Sequence, residues 1–337
     1  MAVASERWGG RAARGPAWWH PLLRHEELSL LAILTTVVLF FLAVEPSVRN
    51  ARTYLDLLRE LSPTLIAAVG MTLLVIAGEL DLSISSMLAV SGVATVETFN
   101  RTGSLWLGVL VGLLTGPLVG LLNGLLVTVL GMNSLVTTLG SLFALRGLVY
   151  VATNKTPVID ERGFPEFNWL YQGSIGPFPV PGLLAIALIA FFAFLLRRTE
   201  FGRDIYAVGG NPTAARVSGI RINRLKFSLF IVSATMAAVS GLLIAAQTST
   251  GYFDAGSTGF ELVVIASVVL GGVSLAGGEG RLISAMLGVL IIGMTGKGLR
   301  LMGLHTTQQL IVTGAVLLVA VYFHRVRKRV LADGRGR

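Results

Sequence analysis

The sequence contains no cysteine and few charged residues, and both shortages narrow the classes of protein to which it can belong. Without cysteine the chain has no disulfide, no thiolate nucleophile and no cysteine-ligated metal. Its four histidines are scattered along the chain without the spacing of metal ligands, so we expect no metal site. Charged residues make up 13% of the chain, about half of the roughly 25% that soluble domains contain.

Long apolar runs take the place of the missing charge. Hydrophobic residues make up 53% of the chain, and runs of about 20 apolar residues recur, each long enough to cross about 30 Å of hydrocarbon. Because lipid cannot hydrogen-bond an exposed backbone, such runs must be helices. We therefore predict an all-α polytopic membrane protein with about ten transmembrane helices. The predicted spans are 29–47, 60–78, 83–99, 105–130, 134–152, 180–196, 227–247, 260–276, 282–301 and 307–324.

The basic residues predict how the spans are oriented. The net charge is +9, but the excess lies in the tails and in loops beside apolar spans, so we expect no nucleic-acid partner. With ten spans and a cytoplasmic N-terminus, the C-terminus is also cytoplasmic, and 18 of the 27 lysines and arginines then lie inside. Arg49, Arg52 and Arg59 fall on the outside and argue against this orientation.

The predicted organisation is one membrane domain with two short tails. Residues 1–28 form a cytoplasmic N-terminal tail, 29–324 the transmembrane domain and 325–337 a basic cytoplasmic tail. The longest outside loop, 153–179, is rich in Pro, Gly, Asn and aromatic residues, a composition typical of a folded surface loop. Such a loop either packs over its own helices or contacts an extracytoplasmic partner.

A basic insert at 197–226 contains a short helix with readable ends. Asn211 is a capping residue, Pro212 suits the first helical position and Gly219 suits the left-handed residue that ends a helix. A helix of about two turns is not stable alone in water. The insert is therefore either a connector that lies on its own membrane domain or a docking element for a soluble partner.

Polar residues near the span ends are the candidates for a transport pathway or gate: Glu79, Asp81, Ser83 and Asn123. Charge inside a bilayer is costly and needs a reason. Asp81 either caps the helix that follows, together with Ser83, or lines the pathway. For Asn123, a hydrogen bond between helices is the simpler role.

Two glycine patterns indicate close packing. Gly271–Gly280 reads as a tight turn without a phosphate-loop lysine, so it does not bind a nucleotide. Glycines at every fourth position from Gly112 to Gly124 form a smooth stripe that favours helix–helix contact. Segments 65–88 and 262–287 also resemble each other weakly, either through internal duplication or by chance.

No catalytic set is present. We therefore expect no catalytic residue and no bound cofactor, and the acidic residues lie near span ends rather than in mid-span as in ion pumps. The residues alone indicate a membrane transport or scaffold subunit with one basic docking insert.

Several motifs, spread in order from about residue 30 to 325, resemble one known family. They are Gly78–Ser83, Gly120–Gly124, Thr137–Gly140, Arg146–Gly147, Phe201–Asn211, Ala214–Ile220 and Val269–Gly280. Together they resemble the ribose-type permease subunits of bacterial ABC importers, within the branched-chain amino acid and sugar permease superfamily. One departure is that Glu79 and Ser85 stand where many relatives have glycine.

The resemblance implies a transport role, a set of partners and a location. The chain would be a permease for a monosaccharide or related small polyol or signal in the bacterial cytoplasmic (inner) membrane, with 153–179 facing the periplasm. Its partners would be the lipid bilayer, an ATP-binding cassette subunit that binds the ATP, a second permease subunit (identical or different) and a periplasmic sugar-binding protein. The ATPase would be contacted by the short helix, through Asn211, Pro212, Thr213, Ala214, Ala215, Arg216, Val217, Ser218 and Gly219.

Two alternatives remain at this stage. An ion-coupled secondary sugar transporter would need no ATPase, and a polytopic membrane enzyme would need a reactive cluster near one interface.

Overall fold

The computed structural model describes residues 26–256, 259–305 and the pairs 308–309, 311–312 and 314–315. These residues form an all-helical bundle, as predicted. The helices are α1 (Glu26–Val44), α2 (Ala51–Ile76), α3 (Ile84–Thr102), α4 (Leu105–Thr128), α5 (Ser134–Thr153), α6 (Pro165–Gln172), α7 (Val180–Arg198), α8 (Glu200–Gly210), α9 (Pro212–Val217), α10 (Ile222–Thr248), α11 (Phe260–Leu270) and α12 (Leu282–Leu301). A 3-10 turn covers Pro46–Arg49.

Four two-residue strands form two small antiparallel pairs outside the helices. β1 (Val158–Ile159) pairs with β4 (Thr250–Gly251), and β2 (Ser174–Ile175) pairs with β3 (Phe178–Pro179).

Seven of the described helices are long and apolar enough to cross a membrane, so the chain is a polytopic membrane protein: α1, α2, α4, α5, α7, α10 and α12. The predicted span 307–324 lies largely outside the described residues, and so do most of the predicted N-terminal tail and all of the tail at 325–337. The predicted count of ten helices therefore stays a prediction.

Two predicted spans have a different form in the structure. The predicted span 83–99 is α3, a helix that carries buried Ser86, Ser91 and Thr95 and packs mainly against α4 and α10. Because protein rather than lipid covers α3, its side chains need not be uniformly apolar. The predicted span 260–276 is wrong in length: α11 ends at Leu270, and its 11 residues cover only about 17 Å at 1.5 Å per residue.

The core of the bundle is formed by α2 and α10, which bury most of their length. The glycine stripe of α4 packs against α3 and α10, as the spacing predicted. A Cβ on Gly112 would lie 1.9 Å from the Thr95 Oγ1, and one on Gly120 would lie 2.5 Å from the Ile231 Cα. These glycines let neighbouring helices approach at backbone distance.

The bundle has two distinct ends. The basic end holds the start of α1, the turns 77–83 and 271–281, and the insert 197–226. Glu27 of α1 lies 3.0 Å from Arg281 and 3.9 Å from Arg197 at this end. The opposite end holds the loop 153–179, where Arg59 of α2 donates to the Gln172 carbonyl oxygen.

Candidate functional site

The basic insert contains a helix, α8, beside the predicted short helix. Thr199 caps α8 by accepting the Gly202 N–H at 3.3 Å. Ile205 and Val208 are fully buried, and Phe201 packs against the same core. The spacing of these three apolar residues, i, i+4 and i+7, was the available signal for an amphipathic helix.

The short helix α9 has the ends that its sequence predicts. The Asn211 side chain accepts the Ala214 N–H at 3.0 Å, and Pro212 occupies the first helical position. Gly219 has a φ of +87°, and its N–H donates to Arg216 while the next N–H, of Ile220, donates to the Ala215 carbonyl oxygen. This pair of bonds closes the helix in a Schellman motif.

Helix α9 packs against the bundle on one side and is exposed on its other sides. Ala215 is 4% exposed and belongs to the main hydrophobic core, which Ile220 also contacts. The other five residues of α9 are exposed, and Val217 is 86% exposed. An apolar side chain this exposed, at the polar end of the bundle rather than on its lipid-facing sides, is available to a partner.

The base of α9 rests on a backbone-to-backbone contact of three glycine segments. Gly209 and Gly210 are the last two residues of α8, Gly78 follows α2, and Gly277 and Gly278 lie in the turn before α12. A Cβ on Gly209 would lie 1.8 Å from the Ile76 carbonyl oxygen, and one on Gly278 would lie 2.5 Å from the Gly210 Cα. We call this contact of residues 76–78, 209–210 and 277–278 the glycine junction. It brings together three motifs that are far apart in the sequence.

Two polar contacts surround the glycine junction. The Tyr206 hydroxyl donates to the Gly280 carbonyl oxygen at 2.8 Å. Burial raises the pKa of Tyr206 above its ordinary value, so the hydroxyl stays protonated and remains a donor. The Lys226 ammonium of α10 pairs with the Glu79 carboxylate, and both side chains are mostly buried.

The Glu79–Lys226 pair forms part of the wall of a cleft beside α9. The cleft has a volume of about 390 Å³, and its lining includes Asn133, Pro212 and Arg216. Of the four predicted pathway residues, Glu79 is the one that lines this cleft.

The other three predicted pathway residues are fully buried and belong to one hydrogen-bonded network. The Asp81 carboxylate accepts the Ser83 hydroxyl at 2.5 Å and the Ser233 hydroxyl at 3.0 Å. Asn123 donates to the Ser83 oxygen at 3.0 Å and accepts the Ser141 hydroxyl at 2.5 Å. The network joins the turn after α2 to α4, α5 and α10, which confirms the role of Asn123 in bonding helices together.

Asp81 does not cap α3 in the predicted way. Its carboxylate accepts the backbone N–H of Ser83, one residue before the helix begins, rather than an N–H inside the first turn. Ser141 and Ser233 are members of the network that the sequence does not predict, because a lone serine in an apolar helix carries no signal of its partner.

Arg146 of α5 is a further buried polar group, 9% exposed. Its guanidinium donates to the carbonyl oxygens of Phe253 at 3.1 Å, Ala255 at 2.8 Å and Ser85 at 3.1 Å. These bonds hold a non-helical segment, residues 252–256, against α3 and α5 within the bundle. Buried backbone outside regular helices needs partners for its polar groups, and Arg146 supplies them to two carbonyl oxygens of this segment.

The loop 153–179 at the opposite end is folded and packs over its own helices. Asp160 accepts the N–H groups of Arg162, Gly163 and Phe164. The Phe99 ring of α3 lies edge-on to Phe164 and Phe167, with centroids 5.1 Å and 4.8 Å apart. The prediction of a folded loop is confirmed.

Comparison with known proteins identifies the relatives of this arrangement. The family described as branched-chain amino acid transport system / permease component matches residues 53–321. The probable ABC transporter permease protein YphD of Escherichia coli (strain K12) is 41% identical over 300 residues, covering 88% of this chain and 89% of the relative. No solved structure gives a significant match.

Two further relatives are named for sugars. The L-arabinose transport system permease protein AraH of Escherichia coli (strain K12) is 36% identical, covering 88% of this chain and 90% of the relative. The ribose import permease protein RbsC of the same organism is 35% identical, covering 88% and 92%. These relatives are transport components rather than enzymes, and the resemblance read from the motifs is confirmed.

Proposed function

Because this chain belongs to the branched-chain amino acid transport system / permease component family, we propose that it is the permease subunit of an ATP-driven importer. Its substrate is a monosaccharide or a related small polyol or signal, as the names of the ribose and arabinose relatives suggest. It lies in the bacterial cytoplasmic (inner) membrane with about ten spans, both termini and the basic end facing the cytoplasm. The clustering of Arg197, Arg203 and Arg281 at that end supports this orientation.

The proposal rests above all on the exposure of α9 on a fixed base. We assign ATPase docking to residues 211–219, with Val217 and Ala214 as contact residues and Ala215 as the anchor that packs inward. Exposed small and apolar side chains at an aqueous surface suit insertion into a cleft of a soluble partner.

The glycine junction gives this docking helix a path for transmitting force. The end of α2, the end of α8 and the turn before α12 touch backbone to backbone, without long side chains between them. Closure of the ATPase around ATP would move α8 and α9 together and tilt α2 and α12. The transport path would then open alternately to each side. The ATP would be bound by the partner subunit.

The remaining partners follow from the same family assignment. A periplasmic sugar-binding protein would dock at the opposite end, where the loop 153–179 presents Trp169 and Ile175, both at least half exposed. A second permease subunit, identical or different, would complete the transport path. Glu79 would line its inner mouth, while Asp81, Ser83 and Asn123 would form the fixed wall behind it, which agrees with their complete burial.

Substitution of Val217 by Asp tests the docking of α9. The variant places a charge where an apolar contact is proposed, so we expect ATPase co-purification in mild detergent to fall at least roughly tenfold, the loss expected for about 1.5 kcal/mol of Val burial. Ala215 is unsuitable for this test because it is buried, and its substitution would disturb α9 itself. Ile175→Asp is the matched control, an exposed apolar residue changed in the same way at the opposite end.

The outcome also separates the two kinds of transporter. Equal ATPase recovery from both variants and the native chain would reject the docking role of α9. Sugar uptake that persists without ATP and collapses with an ionophore would replace the importer with an ion-coupled secondary transporter.

A further inference from the structure

A second cleft at the basic end is separate from the docking helix and from the Glu79 cleft. It has a volume of about 490 Å³ and lies between the end of α7 and the start of α12, two helices that contact each other far less than α7 contacts α2. Its lining includes the apolar side chains Leu196, Leu282 and Ile283 and the polar side chains Arg197, Tyr206 and Arg281.

The polar side of this cleft carries an excess of positive charge. Arg197 and Arg281 are each 61% exposed, and the Glu27 carboxylate lies near both. At 3.9 Å the Arg197–Glu27 contact is too long for a hydrogen bond. Within residues 26–256 and 259–305, Arg197 has no hydrogen-bond acceptor, so its five N–H donors are open to a ligand from outside the protein.

The apolar side continues onto the outer surface of the bundle. Phe191 and Phe194 of α7 are 57% and 62% exposed and lie in the turns just before the arginines. An apolar helix that ends in Arg197 and Arg198 places those arginines at the boundary between hydrocarbon and headgroups. The cleft therefore has an apolar wall toward the hydrocarbon and a cationic rim at headgroup height.

We propose that this cleft binds one anionic phospholipid, with its phosphate on Arg197 and an acyl chain against Leu196 and Ile283. A free anion would use the rim and leave the apolar wall uncovered. The N-terminal tail of this chain is a poor occupant, because its charged side chains are mostly arginine and like charges repel. Tyr206 lies in α8, so the bound lipid would contact the element that carries the docking helix.

A single fluorophore tests the lipid directly, since the native chain has no cysteine. Ile283→Cys is labelled with bimane and reconstituted in phosphatidylcholine vesicles that contain a minor fraction of brominated phosphatidylglycerol or brominated phosphatidylcholine. We expect phosphatidylglycerol to be preferred about fivefold or more, the effect of one arginine at an anionic surface. A label at Leu39→Cys, which is 59% exposed on α1, should be quenched equally by both lipids.

Substitutions identify the arginine that carries the preference. In Arg197→Gln the two brominated lipids should quench the label almost equally. Arg197→Lys should keep most of the preference for phosphatidylglycerol. Arg203→Gln is the control, because Arg203 is also exposed in the basic insert but lies outside the cleft and pairs with Glu200.

Three results would overturn the proposal. Equal quenching by both lipids in the native background would show no headgroup selection. If Arg203→Gln lost the preference for phosphatidylglycerol to the same extent as Arg197→Gln, the preference would come from general surface charge. Displacement of phosphatidylglycerol by inorganic phosphate, but not by chloride of matched ionic strength, would make the cleft a site for free phosphate.

Discussion

The backbone N–H of Gly278 donates to the carbonyl oxygen of Ile76 at 2.8 Å. This bond joins the turn between α11 and α12 to the last residue of α2, at the place where α8 also ends. Segments 65–88 and 262–287, whose weak resemblance was noted in the sequence, thus meet through their turns. The contact leaves no room for a side chain at Gly209 or Gly278. Gly78 is explained differently, because its φ of +80° lies in the left-handed region that favours glycine.

The first prediction tests the close contact between Gly209 and Ile76. In Gly209→Ala the new methyl group would lie 1.8 Å from the Ile76 carbonyl oxygen. We expect the free energy of unfolding to fall by about 1–3 kcal/mol, as for other overpacked sites. Thermal unfolding of the purified variant in detergent measures this loss.

Gly210→Ala is the matched control for the junction. It is the next residue of the same helix, and the nearest atom to its new methyl group is 3.9 Å away. Alanine favours a helix by about 1 kcal/mol over glycine, so this variant should be neutral or slightly more stable. Equal midpoints of thermal unfolding for Gly209→Ala and Gly210→Ala would contradict the tight contact at Gly209.

Local rules in the sequence were enough to predict the ends of α9. A cap, a proline and a left-handed glycine act over one or two turns, and Asn211, Pro212 and Gly219 adopt those roles in the structure. Hydropathy was less informative for α11. The apolar run continues beyond Leu270, so its composition does not show that the helix ends there.

The sequence does not predict hydrogen-bond partners that lie far apart along the chain. Asp81 and Ser233 are 152 positions apart, and Asn123 and Ser83 are 40 apart. Nothing local to either member of a pair selects the other, because the packing of α2, α4 and α10 brings them together. The sequence therefore indicated that Asp81 needed partners without indicating which.

The second prediction separates the structural and charge roles of Asp81. Asp81→Asn keeps an oxygen for Ser83, and the Ser233 hydroxyl can turn to accept from the new amide. We expect this variant to fold and to transport at close to the native rate. Asp81→Leu leaves the Ser83 N–H and two hydroxyls without an acceptor, at about 1–3 kcal/mol for each buried group.

Uptake and unfolding are measured on both Asp81 variants. Ser233→Ala is the control, since it removes a single neutral partner and should cost about 1 kcal/mol. A folded Asp81→Asn protein that fails to transport would show that the negative charge itself takes part in the pathway.

The third prediction concerns the Glu79–Lys226 pair. The side chains are 12% and 20% exposed, so each charge depends on the other for most of its solvation. Glu79→Gln or Lys226→Met alone should lower the stability by about 1–2 kcal/mol, between the values for exposed and buried pairs. The double variant should lose less stability than the sum of the losses in the two single variants.

A double-mutant cycle on thermal or denaturant unfolding measures that coupling. The coupling should change little with added salt, because the pair is mostly shielded from counterions. Strictly additive losses would mean that the two charges act independently.

The last prediction concerns Arg146, whose planar guanidinium bonds three carbonyl oxygens on two segments. Lysine offers one compact ammonium and cannot span Phe253, Ala255 and Ser85 together. Arg146→Lys should therefore lower the stability by about 1–3 kcal/mol, the value of one charged hydrogen bond with its buried acceptor left open. Hydrogen exchange should rise in residues 252–256 before it rises in α2.

Arg101→Lys is the control, because Arg101 is 76% exposed and pairs with Glu97 on the surface of α3. It should leave both the stability and the hydrogen exchange unchanged. If Arg146→Lys exchanged like the native chain in residues 252–256, the carbonyl contacts would not be what holds that segment in the bundle.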